Sequence, residues 1–307
     1  MNTRRFGAAA ALVAACSAAL IGAQAGAGPV WLEDSIGDAG DRPDNGQVTD
    51  GSGPLTKING VIEGQMGPME PDVIDLYLIR ICDPAEFIAS LLQGEGGNTD
   101  FDTQLWLFQP EGPKQAFGLL GNDDADNGVQ ASRLTAFSND GSGFELEEPG
   151  RYWIGISVSN VDPGSQSGPI FTQETREELS GPDGQGAGDP LLAWQGPFRQ
   201  GGNYSIGLQQ VTFGGGPNMD CNCNGILDAC DIAFGESLDE NQDGIPDECG
   251  CPGDFDFDGA ITFVDLVQLL ANWGPCSGGR CPGDFNCNGS VGFSDLLTLL
   301  SGFGECP

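Results

Sequence analysis

The chain has 307 residues, with 45 Asp and Glu against 11 Lys and Arg, 11 Cys, 50 Gly and no His. A net charge of -34 without a basic cluster excludes nucleic-acid binding and sets the chain against anionic membrane surfaces. The absence of His removes every Ser-His-Asp or Cys-His arrangement and the commonest zinc ligand, so carboxylate and amide oxygens are the chemistry held in quantity.

Residues 1–25 carry Arg4 and Arg5, a run of small apolar residues and an Ala-x-Ala ending at Ala25, which predicts a secretory signal peptide cut after Ala25. The alternative is lipoprotein processing at Cys16, since Val13-Ala14-Ala15-Cys16 resembles a lipobox. Removing the signal leaves ten cysteines, nine of them after residue 220 and only Cys82 before it. An even set concentrated in one region predicts disulfides formed in an oxidising compartment. No later stretch is long enough to span a bilayer.

Residues 26–213 alternate short apolar runs with Gly, Pro, Asn and Asp clusters, predicting strands at 58–62, 73–82, 87–92, 103–108, 117–121, 132–136, 151–159 and 204–208. The expected fold is an all-β sandwich, with Cys82 as a buried strand residue. The segments DVIDLYLIRI, FDTQLWLFQPEG, LGNDDAD, GRYWIGISV and GNYSIGL resemble the bacterial pre-peptidase C-terminal type of domain. That resemblance implies a noncatalytic β-sandwich, of a kind that in some cases binds calcium or extracellular polymers. Asp102, or Asp123 and Asp124, read either as part of a further calcium site or as turn acids between strands. The Gly-, Pro- and Gln-rich stretch 160–202 offers Phe171, Trp194 and Phe198 either as a binding surface or as anchors that tuck the loop down. Residues 214–219 form a linker.

Four segments then repeat one pattern, starting at Asp220, Asp239, Asp254 and Asp284: Asp at position 1, Asn or Asp at positions 3 and 5, Gly at position 6. A hard cation demanding six to eight oxygens needs this alternation around a sharp turn, so the pattern predicts two to four calcium ions. Residues 220–250 hold the first two loops, 19 residues apart with Cys230 and Cys249 each at position 11. They resemble thrombospondin type 3 calcium repeats, without an apolar helix after either loop. The expected ligands are Asp220, Asn222, Asn224, Asp228 and Asp231, then Asp239, Asn241, Asp243 and Asp247. A repeat-to-repeat bond between Cys230 and Cys249 is expected.

Residues 251–276 and 281–306 match at 13 of 26 positions. Each copy is a loop followed by apolar residues at helical spacing, Leu266, Leu269, Leu270 and Trp273, then Leu296, Leu299, Leu300 and Phe303, with Gly274 or Gly304 as the expected C-cap. This duplication, with its WG-x-C and FG-x-C endings, resembles the dockerin domain over 251–307. The resemblance implies ligands Asp254, Asp256, Asp258, the Ala260 carbonyl, Thr262 and Asp265, then Asp284, Asn286, Asn288, the Ser290 carbonyl and Asp295. It also implies antiparallel helices, and through them disulfides joining Cys251 to Cys306 and Cys276 to Cys281. At positions 10 and 11, where dockerins carry a polar, often hydroxyl-bearing pair for their cohesin partners, this chain has Phe263 and Val264, then Phe293 and Ser294.

The expected fold class is therefore mainly β: a β-sandwich, then a small disulfide-rich calcium-loop region ending in a two-helix dockerin-like module. The expected function is that of a secreted noncatalytic attachment protein. Its calcium-loaded tail would dock onto a cohesin-type or other surface protein, in an assembly that the resemblance associates with polysaccharide breakdown. Its sandwich would contact an extracellular polymer. The alternatives are a small polysaccharide-active hydrolase using a carboxylate pair, and a purely structural surface or matrix protein.

Overall fold

The computed structural model describes residues 29–33, 37–64, 72–197, 200–216, 220–221, 224, 226–239, 242, 244–256, 258–276 and 282–306. The expected signal segment with Cys16, and Phe198, Asn222, Cys223, Asn241, Asp243 and Cys281, lie outside the described residues.

The chain is mainly β. One sheet runs Val30–Leu32, Lys57–Val61, Asn203–Gln209, Ile88–Ser90, Arg133–Thr135, with Asn98–Thr99 also paired to Asn203–Gln209. A second runs Leu179–Ser180, Gln115–Asn122, Thr103–Glu111, Gly150–Val158, Ile74–Ile81, Val211–Phe213, with Gln47–Val48 parallel to Ile74–Ile81. Strand periodicity sends alternate side chains to opposite faces. Tyr77, Ile79, Ile81, Leu105, Leu107, Tyr152, Ile154 and Ile156 of the second sheet meet Ile58, Ala89, Leu134, Ile206 and Leu208 of the first in one apolar core.

The second sheet buries its other face too, and this explains why its central strands read as unbroken apolar runs. Leu76, Leu78, Trp106, Phe108 and Trp153 form a second cluster with Ile170, Phe171 and Leu191 from the stretch 160–202. That stretch forms a small three-stranded sheet, Gly168–Pro169, Asp162–Ser165, Ala193–Gln195, laid over the second sheet. The Phe171 ring lies 5.2 Å from that of Trp106, and the Trp194 ring meets Phe108 edge-on at 6.0 Å. The Trp194 indole N–H donates to the Asp41 carbonyl at 2.7 Å. Of the two expectations for Phe171 and Trp194, the structure has the anchors: Phe171 is buried and Trp194 half-buried. Gly121 makes room for this layer, because a Cβ there would sit 2.4 Å from the Trp106 ring.

The start of the linker is held to this core. Buried Arg80 donates to the carbonyls of Phe213, Gly215 and Gly216, and the Gly214 N–H donates to the Thr49 hydroxyl. Cys82 is not a buried strand residue: it lies one position past Ile74–Ile81, half-buried, and is bonded to Cys230. The expected Cys230–Cys249 bond is thereby corrected; Cys249 instead pairs with Cys221 inside the loop region. Cys230 is drawn away because it sits on a helix, α1 (Asp228–Phe234), which packs beside Val211–Phe213. α1 begins within the first loop's pattern, at Asp228, and its buried residues are Asp228, Cys230 and Asp231, so it is not an apolar helix following the loop.

The last two units are loop and helix, as the spacing predicts: α2 (Phe263–Ala271) and α3 (Phe293–Ser301). Each loop pairs with the segment beyond the other helix, Ala260–Ile261 with Gly304–Glu305 and Ser290–Val291 with Gly274–Pro275, all antiparallel. Gly274 and Gly304 therefore begin strands, and the helices are capped earlier, at Asn272 and Gly302. Ile261, Leu269, Val291 and Leu299 form the small core, with Leu266 and Leu296 against it and Phe255 stacked on Phe285 at 6.3 Å. The predicted stripe is narrower than expected: Leu270, Trp273, Leu300 and Phe303 stay exposed, because two short helices and two loops have too little surface to cover them. Cys251 is bonded to Cys306 across the ends of this unit. Cys276 and Cys287 are each in a disulfide whose partner lies outside the described residues.

Candidate metal centres

The loops share one local design. In the third, the Asp254 carboxylate accepts the N–H groups of Asp258 at 3.2 Å and Gly259 at 2.9 Å, which pulls the chain into a ring around position 1. Asp258 accepts from the Ala260 N–H at 3.0 Å. Asp265, at the start of α2, reaches back to the Phe255 N–H at 2.8 Å and the Thr262 N–H at 2.7 Å. Gly259, at φ +85°, supplies the left-handed turn that the pattern requires at position 6. The outcome is that Asp254, Asp256 and Asp265 each bring one oxygen within 4.8 Å of the other two.

The electrostatics of this ring suit a cation. Asp256 is pushed above the ordinary carboxylate range, first by desolvation and then by the charges of Asp258, Asp265 and Asp254. Burial would raise Asp265 as well, but donors from Thr262 and Phe255 hold it below that range, so it stays charged. The donor set is oxygen alone. Cys251 and Cys306 lie beside Asp254, but their sulfurs are spent in a disulfide. Hard oxygens around a sharp turn fit calcium and not zinc. The Thr262 hydroxyl is engaged in capping α2, between Asp265 and the Val264 N–H.

The fourth loop repeats the geometry with fewer charges. Asp284 accepts from Asn288 and Gly289, Asn288 accepts from the Ser290 N–H, and Asp295 accepts from Phe285 and Gly292. Asn286 accepts from the Asn288 N–H at 3.2 Å. In the first loop Asp220 accepts from Asn224, Asp228 accepts from the Cys221 N–H, and buried Asp231 accepts from the Asn224 amide at 2.9 Å. In the second, Asp239 accepts from Gly244 at 3.0 Å, and Asp247 opens a short 3-10 turn.

One acid cluster lies where sequence reading placed nothing. Glu33, Asp38 and Asp75 converge at the edge of the two-sheet core, with Asp75 accepting from the Tyr204 hydroxyl at 2.6 Å and Glu33 accepting from the Ala39 and Val61 N–H groups. Burial, then the charges of Glu33 and Asp72, pushes Asp75 well up. These residues are scattered over separate segments that only the fold brings together; the one signal was Asp75 inside the largely apolar run Ile74–Ile81.

No protein-family model, curated protein or solved structure matches the chain.

Proposed function

We propose that the chain is an exported, noncatalytic attachment protein whose calcium-loaded C-terminal pair of loop–helix units docks onto a protein partner. The observation that carries this reading is a doubled apolar surface. Phe263 is 70% exposed and Phe293 68%, at equivalent first positions of α2 and α3. Val264, Val267 and Leu270 on α2, and Leu297 and Leu300 on α3, extend each row, with exposed Trp273 and Phe303 just past the helix ends. Large aromatic and aliphatic side chains held out on a rigid frame favour protein recognition over a structural role, and the loops that start both helices tie that frame to calcium. Phe263 and Phe293 occupy the positions at which dockerins meet cohesins, so the partner is of that general kind but reads apolar side chains in place of hydroxyls.

Export is supported by the disulfides and by the signal-like N-terminus. No helix among the described residues is long and apolar enough to cross a membrane. Under this reading the two-sheet unit is a β-sandwich of pre-peptidase C-terminal type that contacts an extracellular polymer, and association with polysaccharide-degrading machinery follows from the dockerin resemblance. The test is capture from the producer's own envelope fraction with the full chain and with Phe263→Asp/Phe293→Asp. A partner retained in calcium, released by chelator and missed by the variant supports docking through these rows. Equal capture by both proteins overturns it.

A further inference from the structure

We infer that Asp102, Asp123 and Asp124 bind a hard divalent cation of the calcium class at one end of the second sheet, separately from the four loops. Asp102 immediately precedes Thr103–Glu111, and Asp123 and Asp124 immediately follow Gln115–Asn122. These strands pair antiparallel, with Leu105 opposite Asn122, so the entry of one and the exit of the other bring the three acids together. One carboxylate oxygen from each lies within 4.8 Å of the other two.

Convergence of acids alone says little; the second observation is what their oxygens lack. Asp123 is 6% exposed and Asp124 5%, and Oδ1 of each, like Oδ1 of Asp102, is buried without a hydrogen-bond partner. A buried carboxylate oxygen left unpaired is costly, and three such oxygens within one cluster of acids ask for a ligand that is not an N–H group. Asp140 shows what an ordinary turn acid does in this fold: its carboxylate takes the N–H groups of Ser142 and Gly181 and the Ser142 hydroxyl.

Arg176 does not fill the role. Its Nη1 stands 3.5, 3.8 and 3.9 Å from the Oδ2 atoms of Asp102, Asp123 and Asp124, on a side chain 51% exposed. It reaches Oδ2 of each acid and leaves Oδ1 of all three without a hydrogen-bond partner. Three carboxylates and one guanidinium leave two negative charges, which match one divalent ion. All-oxygen donors select calcium or magnesium over zinc, and three carboxylates exceed the one or two by which magnesium is usually held, which favours calcium.

The experiment counts calcium bound per full-length chain after gel filtration, for the native protein and for Asp123→Asn/Asp124→Asn, with the calcium-induced rise in core melting temperature read from near-UV circular dichroism. The expected result is one equivalent fewer and a smaller rise. The change in helix signal on chelation, which reports α1 to α3, is expected to stay as in the native protein. Being a difference between two chains, the count holds whether or not the loops bind calcium, so it stands apart from the attachment reading. If the double variant does not fold, Asp102→Asn is expected to lose the same equivalent. An unchanged count, or an unchanged calcium-induced rise, overturns the inference.

Discussion

Cys82, at the exit of a central strand of the two-sheet unit, is bonded to Cys230 on α1 across 148 residues, with the two Cα atoms 5.6 Å apart. Together with Arg80, which holds the linker carbonyls beside it, this bond fastens the loop region to the core. Closing so long a loop removes unfolded-state freedom, a term of about 2–5 kcal/mol. The Cys82→Ser/Cys230→Ser variant is expected to melt in two steps, the helices first and the tryptophan-rich core later, where the native protein melts with the two coupled. Calorimetry separates these outcomes.

The third loop is expected to bind calcium more tightly than the fourth, since Asp254, Asp256, Asp258 and Asp265 give it four carboxylates to the two of Asp284 and Asp295. Ligand charge is a main determinant of affinity in such loops. Each position-1 Asp also closes its ring by accepting two N–H groups, so its loss opens the loop as well as removing a ligand. Titration calorimetry on Asp254→Ala should show the tighter phase abolished, and on Asp284→Ala the weaker one. Chelation of the native chain should cost helix signal at 222 nm.

The eight expected strands were legible because apolar runs bounded by turn residues have few other solutions, and α2 and α3 because Leu266 with Leu269 and Leu296 with Leu299 hold a helical spacing. The cover over the second sheet was not, since its Gly- and Pro-rich sequence carries no period of its own. Its place was nonetheless encoded on the surface it covers: Leu76 and Trp106 lie between inward-facing neighbours, and a strand apolar at both parities must be buried on both faces. Helix ends were misplaced because backbone pairing by Gly274 and Gly304 took over where a cap was expected. The partner of Cys82 was beyond reach, since spacing carries no information about a bond spanning separate structural units.

Leu269 and Leu299 are fully buried in a core of four residues, each shielded by the other repeat's loop. Leu299→Ala removes about 2–5 kcal/mol, more than so small a unit has in reserve without metal. It is expected to leave α2 and α3 unformed in chelator and to be rescued by saturating calcium, because metal binding and folding are one equilibrium here. The calcium midpoint of the helix signal should move to higher concentration. The exposed Leu300→Ala, as control, should leave it in place.

Asp72 lies beside the Glu33, Asp38 and Asp75 cluster and accepts the Glu63 N–H. Burial is the main force raising its carboxyl to about 7, with the charges of Asp38, Glu33 and Glu63 adding to it against the Glu63 hydrogen bond. An acid raised in the folded state holds a proton that the unfolded chain has released, so stability is full near the ordinary aspartate value of 3.8 and falls as pH climbs to about 7. The shift in full corresponds to about 4 kcal/mol, and partial exposure of the group screens this to about 1–2 kcal/mol. Asp75, also raised by burial, adds a slope of the same sign. Asp72→Asn keeps an acceptor for the Glu63 N–H and removes the charge. Urea unfolding in chelator should therefore find the variant equal to the native chain at pH 4 and more stable by that amount at pH 8; a native chain as stable as the variant at pH 8 would show that Asp72 ionises without cost.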